Sequence, residues 1–132
     1  MFGADPIDLF LGASCFAVVG ASNDMNKYGA KIFAAYRQKQ LTVYPINPKE
    51  SEIQGVPAYK SLADLPEPCP SVSVITPPAV TEKVVAEAIA AGVEHIWLQP
   101  GAESQAAIEA AEAAGLNVIH SGPCILVKFA TG

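Results

Sequence analysis

Five short β-rich apolar runs recur along this chain, each separated from the next by enough residues for a crossover: CFAVVG at 15–20, LTVYPI at 41–46, SVSVIT at 71–76, EHIWLQ at 94–99 and LNVIH at 116–120. This is the rhythm of βαβ units, and no other feature restricts the fold as tightly. Parallel strands require a crossover, and a crossover helix must pack back on the sheet. Several runs are apolar at nearly every position, as expected of strands covered on both faces. Right-handed crossovers then favour an α/β fold with a Rossmann-like, doubly wound parallel sheet of five strands in the order 3-2-1-4-5, numbering the runs as they occur. With 132 residues, 51% of them hydrophobic, the whole of 1–132 is read as one domain that needs neither disulfides nor metal.

The stretches between the runs support this reading. Tyr28 to Lys39 sets Ile32, Phe33, Ala35 and Tyr36 against Lys31, Arg37, Gln38 and Lys39, an amphipathic helix. Pro78 to Ala91 places Val80, Val84, Ala88 and Ala91 on one stripe, with proline in the first turn and Gly92 after the last. Alanine-rich 102–114 stops at Gly115 in the same way. The first helix ends at Gln40 instead, where a left-handed conformation would cost about 1 kcal/mol. Residues 1 to 14 read as a short helix against the sheet and 121 to 132 as a tail that packs back. Gln54 to Pro70, with Pro57, Pro66, Pro68 and Pro70, reads as a crossover with a short helix at Ser61 to Leu65 capped by Ser61.

Composition excludes several functions. The net charge is −5, with 13 acidic against 8 basic residues and no basic run, so a nucleic-acid backbone finds no electrostatic footprint. No 18-residue apolar stretch and no basic n-region occur, which predicts neither a membrane span nor a secretory signal and points to the cytoplasm. Cys15, Cys69 and Cys124 are odd in number and widely spaced, without C-x-x-C or histidine at metal spacing, so neither a disulfide framework nor a zinc site is expected.

In an open parallel sheet the ligand lies outside the carboxyl ends of the strands, where the strand order reverses. The loop after the first run, GASNDMNKYG, offers Gly20, Ala21 and Ser22, small enough for a phosphate to approach backbone amides, with Lys27 as a neutralising charge. The pattern is not G-x-G-x-x-G, and a plain tight turn is the competing reading. After the second run, where NAD enzymes commonly place a carboxylate on the ribose, stand Asn47, Pro48 and Lys49. A lysine there attracts what a carboxylate repels, pointing to a nucleotide with a ribose phosphate, either NADP or coenzyme A; a simple Asn-Pro turn is the alternative. Thr76, Pro77 and Pro78 form a stiff rim after the third run, and Gln99, Pro100 and Gly101 precede the third helix after the fourth. Trp97 reads as core.

Taken together, VVGAS at 18–22, YPINPK at 44–49, TPP at 76–78, WLQPG at 97–101 and the cysteine in GPCIL at 122–126 resemble the CoA-binding domain family of small bacterial and archaeal proteins, similar to the N-terminal domain of the succinyl-CoA synthetase alpha subunit. The resemblance covers roughly residues 9 to 129. It implies that Gly20, Ala21 and Ser22 hold CoA phosphates and that Asn47, Pro48 and Lys49 meet the adenosine ribose-phosphate. It also implies that Thr76, Pro77 and Pro78 flank adenine and ribose, while Gln99 and Gly101 lie along the diphosphate or pantetheine. The charge argument reaches a ribose phosphate; the resemblance alone selects CoA or an acyl-CoA over NADP.

Two departures stand out. His120-Ser121-Gly122-Pro123 precede Cys124 in place of the family's usual polar turn, and the synthetase's second domain, which carries a phosphorylated histidine, has no counterpart here, so ligase chemistry is not expected of this chain alone. No nucleophile with a base can be assembled. His95 begins its strand at the opposite edge. His120 with Cys124 four residues on is the nearest approach to a catalytic pair, and Cys124 beside a CoA thiol could instead exchange into a mixed disulfide. The expected function is therefore a stand-alone CoA or acyl-CoA binding protein, monomer or homodimer, not an enzyme. An NADP-binding oxidoreductase subunit and a CoA-sensing interaction module are the alternatives.

Overall fold

Every residue of Phe16–Val19 (β1) is buried, and its side chains alternate between two apolar clusters. Phe16 and Val18 pack with Ile32, Phe33 and Tyr36; Ala17 and Val19 pack with Val72, Val74, Val84 and Val85. The architecture is that of a computed structural model describing residues 5–122 and 124–131. Residues 1–4 of the expected N-terminal helix, Pro123 of the GPCIL motif and Gly132 lie outside the described residues.

Around β1 stand Val43–Ile46 (β2) on one side and, on the other, Ser71–Val74 (β5), His95–Leu98 (β6) and Asn117–Ile119 (β7), all parallel, in the order β2-β1-β5-β6-β7. The Rossmann-like doubly wound parallel sheet of five strands is as the sequence predicts, but the order is not. Counting the sheet strands alone it runs 2-1-3-4-5, so the run at 71–76 lies beside β1, not outside β2. Pro45 gives the physical reason. β2 offers β1 the carbonyls of Thr42 and Ile46, at 2.9 and 3.0 Å from the amides of Phe16 and Gly20, so Pro45 faces the other way. A proline has no N–H to give a strand on that side, and it confines β2 to the sheet edge. Among the described residues a single bridge, Ile46 to Tyr59, covers it there.

A second correction concerns the crossover after β2. It contains a hairpin, Glu52–Ile53 (β3) and Val56–Pro57 (β4), closed by Gln54 and Gly55 at φ 51° and 85°. Two positive φ values in a two-residue loop make the turn that matches strand twist. The expected helix after it is one 3-10 turn, Leu62–Asp64, and Ser61 bonds the Asp64 carboxylate at 2.9 Å instead of capping a backbone amide.

Pro6–Leu11 (α1), Tyr28–Gln38 (α2) and Ile125–Thr131 (α5) cover one face, burying Phe10, Phe33 and Ile125 against Phe16, Val18 and Trp97. Pro78–Ala90 (α3) and Gln105–Ala113 (α4) cover the other with Val84, Val85, Ala88, Ile108 and Ala111. On α3, Val84 and Ala88 of the expected stripe are buried, but its two ends are not, and Thr81 and Val85 complete the buried face. Val80 is 43% exposed and Ala91 is exposed beyond the helix end, while Thr81 is buried. Thr81 Oγ1 lies 2.7 Å from Thr76 Oγ1 and 3.2 Å from the Pro77 carbonyl, which satisfies a hydroxyl on a core-facing position. Gln40, Gly92 and Gly115 all take the left-handed conformation expected after their helices.

The tightest packing is backbone on backbone at the end of β1. A Cβ at Gly20, itself at φ 98°, would stand 2.1 Å from the Ile75 carbonyl oxygen, and one at Gly29 would stand 1.9 Å from the Gly20 carbonyl oxygen. Gly29→Ala must therefore push α2 off the sheet, at a cost of about 3 kcal/mol, whereas Gly92→Ala, with open space around it, costs about 1 kcal/mol of backbone strain. Urea unfolding checks both values: the expected result is a large drop in midpoint for the first, a small one for the second, and an unchanged slope.

Candidate ligand-binding site

The strand order reverses between β1 and β5. The chain leaves β1 into α2 on one face and leaves β5 into α3 on the other, so a crevice opens at the carboxyl edge between them. Neither helix start is capped by a side chain, whereas α4 is capped by Ser104, which accepts from the Ala107 amide. Uncapped first-turn amides carry partial positive charge and suit an anion. The glycine junction brings the start of α2 up to this edge.

A network unpredicted from sequence shapes the loop after β1. Asn23 donates to the Glu50 carboxylate at 2.8 Å and the Glu52 carbonyl at 2.9 Å, and it accepts from the Gln54 amide at 2.8 Å. Gln54 donates through its side chain to the Ser22 and Ala30 carbonyls at 3.2 and 3.0 Å, and its own carbonyl accepts from Arg37 at 2.9 Å. These bonds hold Gln54 at its positive φ and fasten the β3–β4 hairpin to the loop. Ser22 Oγ accepts from the Asp24 amide and Asp24 from the Asn26 amide, each at 3.0 Å, so the loop turns twice through its own short side chains. Only a pairing between positions 23 and 54, invisible in local pattern, would have pointed to this clamp.

The sites read from the sequence meet here as a chain of contacts. Asn47 donates to the Ala21 carbonyl at 2.9 Å and accepts from the Lys49 amide at 2.8 Å, so it joins the first loop to the second and builds the turn carrying Pro48 and Lys49. Gly20 abuts Ile75, immediately before Thr76. Ile75, Thr76 and Pro77 line a cleft of about 240 Å³ with Pro100, Gly101 and Ala102; Pro78 begins α3 beside it. Lys27 and Lys49 are exposed, and among the described residues their ammonium groups meet no carboxylate. Ala21 is fully buried, backbone included, and its carbonyl is taken by Asn47, so it shapes the turn and offers no free group to the edge.

Gln99 differs from the expectation in its surroundings. Only 1% exposed, it accepts from the Ile125 amide at 3.1 Å and so fastens the start of α5, while its buried Nε2 has no partner among the described residues. Cys124, partly buried, precedes α5. His120 Nδ1 is engaged with Ser121 Oγ at 2.6 Å, and His95 pairs with Asn117 at 3.1 Å on the opposite edge. Among the described residues no group of three His, Cys, Asp or Glu side chains can hold a metal ion, and no helix is long and apolar enough to cross a membrane.

Comparison with known proteins adds the family. Residues 14–130 match the CoA binding domain family. The acetate–CoA ligase (ADP-forming) II subunit alpha of Pyrococcus furiosus is 34% identical over 91 residues, covering 68% of this chain and 20% of that protein. Acetate–CoA ligase (ADP-forming) I of Archaeoglobus fulgidus is 30% identical over 113 residues, 78% of this chain and 16% of that one. The chain thus spans a fifth or less of the curated relatives it matches. Among solved structures, a conserved hypothetical protein from Pyrococcus furiosus superposes with a TM-score of 0.81 at 38% identity, over 86% of this chain and 97% of that one. A hypothetical protein from Pyrococcus horikoshii reaches 0.90 at 26% identity, over 96% and 89%. With its sheet, its carboxyl-edge loops and nearly its whole length matched, the chain belongs to the CoA-binding domain family.

Proposed function

We propose that this chain binds coenzyme A or an acyl-CoA at the carboxyl edge of its sheet, as a single-domain cytoplasmic protein, monomeric or homodimeric, that performs no chemistry of its own. The observation that carries the reading is the glycine junction, which sets the uncapped start of α2 against the crevice between β1 and β5. The diphosphate would lie along the turn of Gly20, Ala21 and Ser22 and against the uncapped start of α2, since the Gly20 amide is already given to Ile46, with Lys27 nearby. The turn built by Asn47 and Pro48 would present Lys49 to the ribose phosphate. Thr76, Pro77 and Pro78 would flank adenine and ribose, and Gly101 would follow the diphosphate or pantetheine, with Gln99 as support beneath. Cys124 would stand towards the thiol end. Ligase activity, named for the relatives, is not proposed for this chain: a nucleophile needs a base, and His120 is engaged with Ser121.

Thermal-shift titration with CoA, dephospho-CoA, NAD and NADP tests the ligand. At about 100 times its dissociation constant CoA should stabilise the protein by about 2.7 kcal/mol. Lys49→Ala should weaken CoA roughly tenfold, the worth of one charge-assisted bond, and leave dephospho-CoA unchanged. Stabilisation by NADP and not by CoA would overturn the reading. Gln54→Ala removes the clamp at a residue assigned no ligand contact; it should lower the Tm and weaken CoA by disordering the Ser22 loop, seen as faster hydrogen exchange at residues 22–27.

A further inference from the structure

The opposite edge of the sheet carries a cluster that the nucleotide site does not use. Cys15 enters β1 and Cys69 stands two residues before β5, and because these strands are neighbours their thiols meet, with Sγ atoms 2.7 Å apart. Both cysteines are free and buried, 1% and 5% exposed. Cys15 Sγ also lies 3.3 Å from the Pro68 carbonyl. Glu67 stands beside the pair and accepts a short hydrogen bond from Tyr44, which pushes the Tyr44 phenol up to about 12. A cleft of about 290 Å³, lined by Leu62, Leu65, Pro66, Glu67 and Cys69, opens from solvent onto the Cys69 side. The sequence spacing gives no sign of a pair, since the two cysteines lie 54 positions apart.

We propose that Cys15 and Cys69 form a reversible dithiol–disulfide site that reacts with low-molecular-weight disulfides entering by the amino-edge cleft. The Cys69 thiolate attacks one sulfur of a disulfide RSSR, forming a Cys69–SR bond and breaking the RS–SR bond. The departing RS⁻ takes up a proton, equivalent to the one Cys69 lost. The Cys15 thiolate then attacks Cys69 Sγ, the Sγ–Sγ bond forms, and the second RS⁻ leaves and is protonated. Two cysteine thiols lose two electrons, and RSSR gains them as two RSH; excess RSH reverses both steps. The order follows from access, because Cys69 lines the cleft and Cys15 lies behind it. Burial foremost, with the Glu67 carboxylate alongside, holds both thiols above their ordinary range, which lowers the thiolate fraction and makes the exchange slow. A bond there would join the entries of β1 and β5, the two strands whose far ends frame the crevice.

The test uses the full chain incubated with 2-hydroxyethyl disulfide, quenched with acid, denatured, alkylated and mapped by mass spectrometry without reductant. The expected product carries a Cys15–Cys69 link, with Cys124 either alkylated or bearing a 2-hydroxyethylthio group. It melts roughly 10 °C above the reduced protein, and dithiothreitol reverses the shift. Cys124→Ala should keep the link and the shift, and Cys69→Ala and Cys15→Ala should each abolish both. Three alkylated cysteines, adducts on Cys15 or Cys69 without a link between them, or modification of Cys124 alone would overturn the proposal. The map is read on the unsubstituted protein, so the outcome does not depend on how well a variant folds.

Discussion

The contact of Gly20 with Ile75 on one side and Gly29 on the other is the constraint on which the carboxyl edge depends. It is made by backbone alone, at a separation no side chain could enter. Because Gly20 touches the strand end of β5, the two neighbouring strands finish level. Because Gly29 touches Gly20, α2 begins immediately above them. A wider junction would leave the crevice between β1 and β5 without a helix start at its floor, and the loop from Ser22 to Lys27 without a fixed base.

The layers of support run outward from that junction. Asn47 ties the second loop to Ala21, and Gln54 ties the hairpin to Ser22 and Ala30. The apolar clusters on the two faces hold α2 and α3 apart, on opposite sides of the sheet. A ligand arriving at such an edge meets donors already oriented, which reduces the ordering that binding would otherwise cost.

Strand identity was legible because several of the strand runs are apolar at nearly every position, and the helix ends because Gly92 and Gly115 must leave the right-handed region. The position of β5 was misread, although Pro45 carried the signal: a proline whose N faces outward confines β2 to an edge, and a third strand cannot be placed beyond it. That signal carries more weight than the default strand order. The hairpin at 52–57 was not legible, since strands of two residues show no alternation, and its turn carries Gln54 where asparagine or aspartate would announce it. The loops at 20–22, 47–49, 76–78 and 99–101 were identified from their place at strand ends. That Gln99 turns inward to Ile125, and that Asn47 serves the loops, depends on packing from distant segments that no local pattern encodes.

The two edges of the sheet divide the molecule's chemistry. The carboxyl edge presents amides and lysines; the amino edge buries two thiols beside a carboxylate. The most direct test of the central claim is an amide chemical-shift titration with CoA. Saturable shifts confined to Gly20, Ser22, Asn47, Lys49, Thr76 and Gly101 and their neighbours are the predicted result. Saturable shifts centred on Leu62 to Cys69, or none at millimolar CoA, would contradict the account.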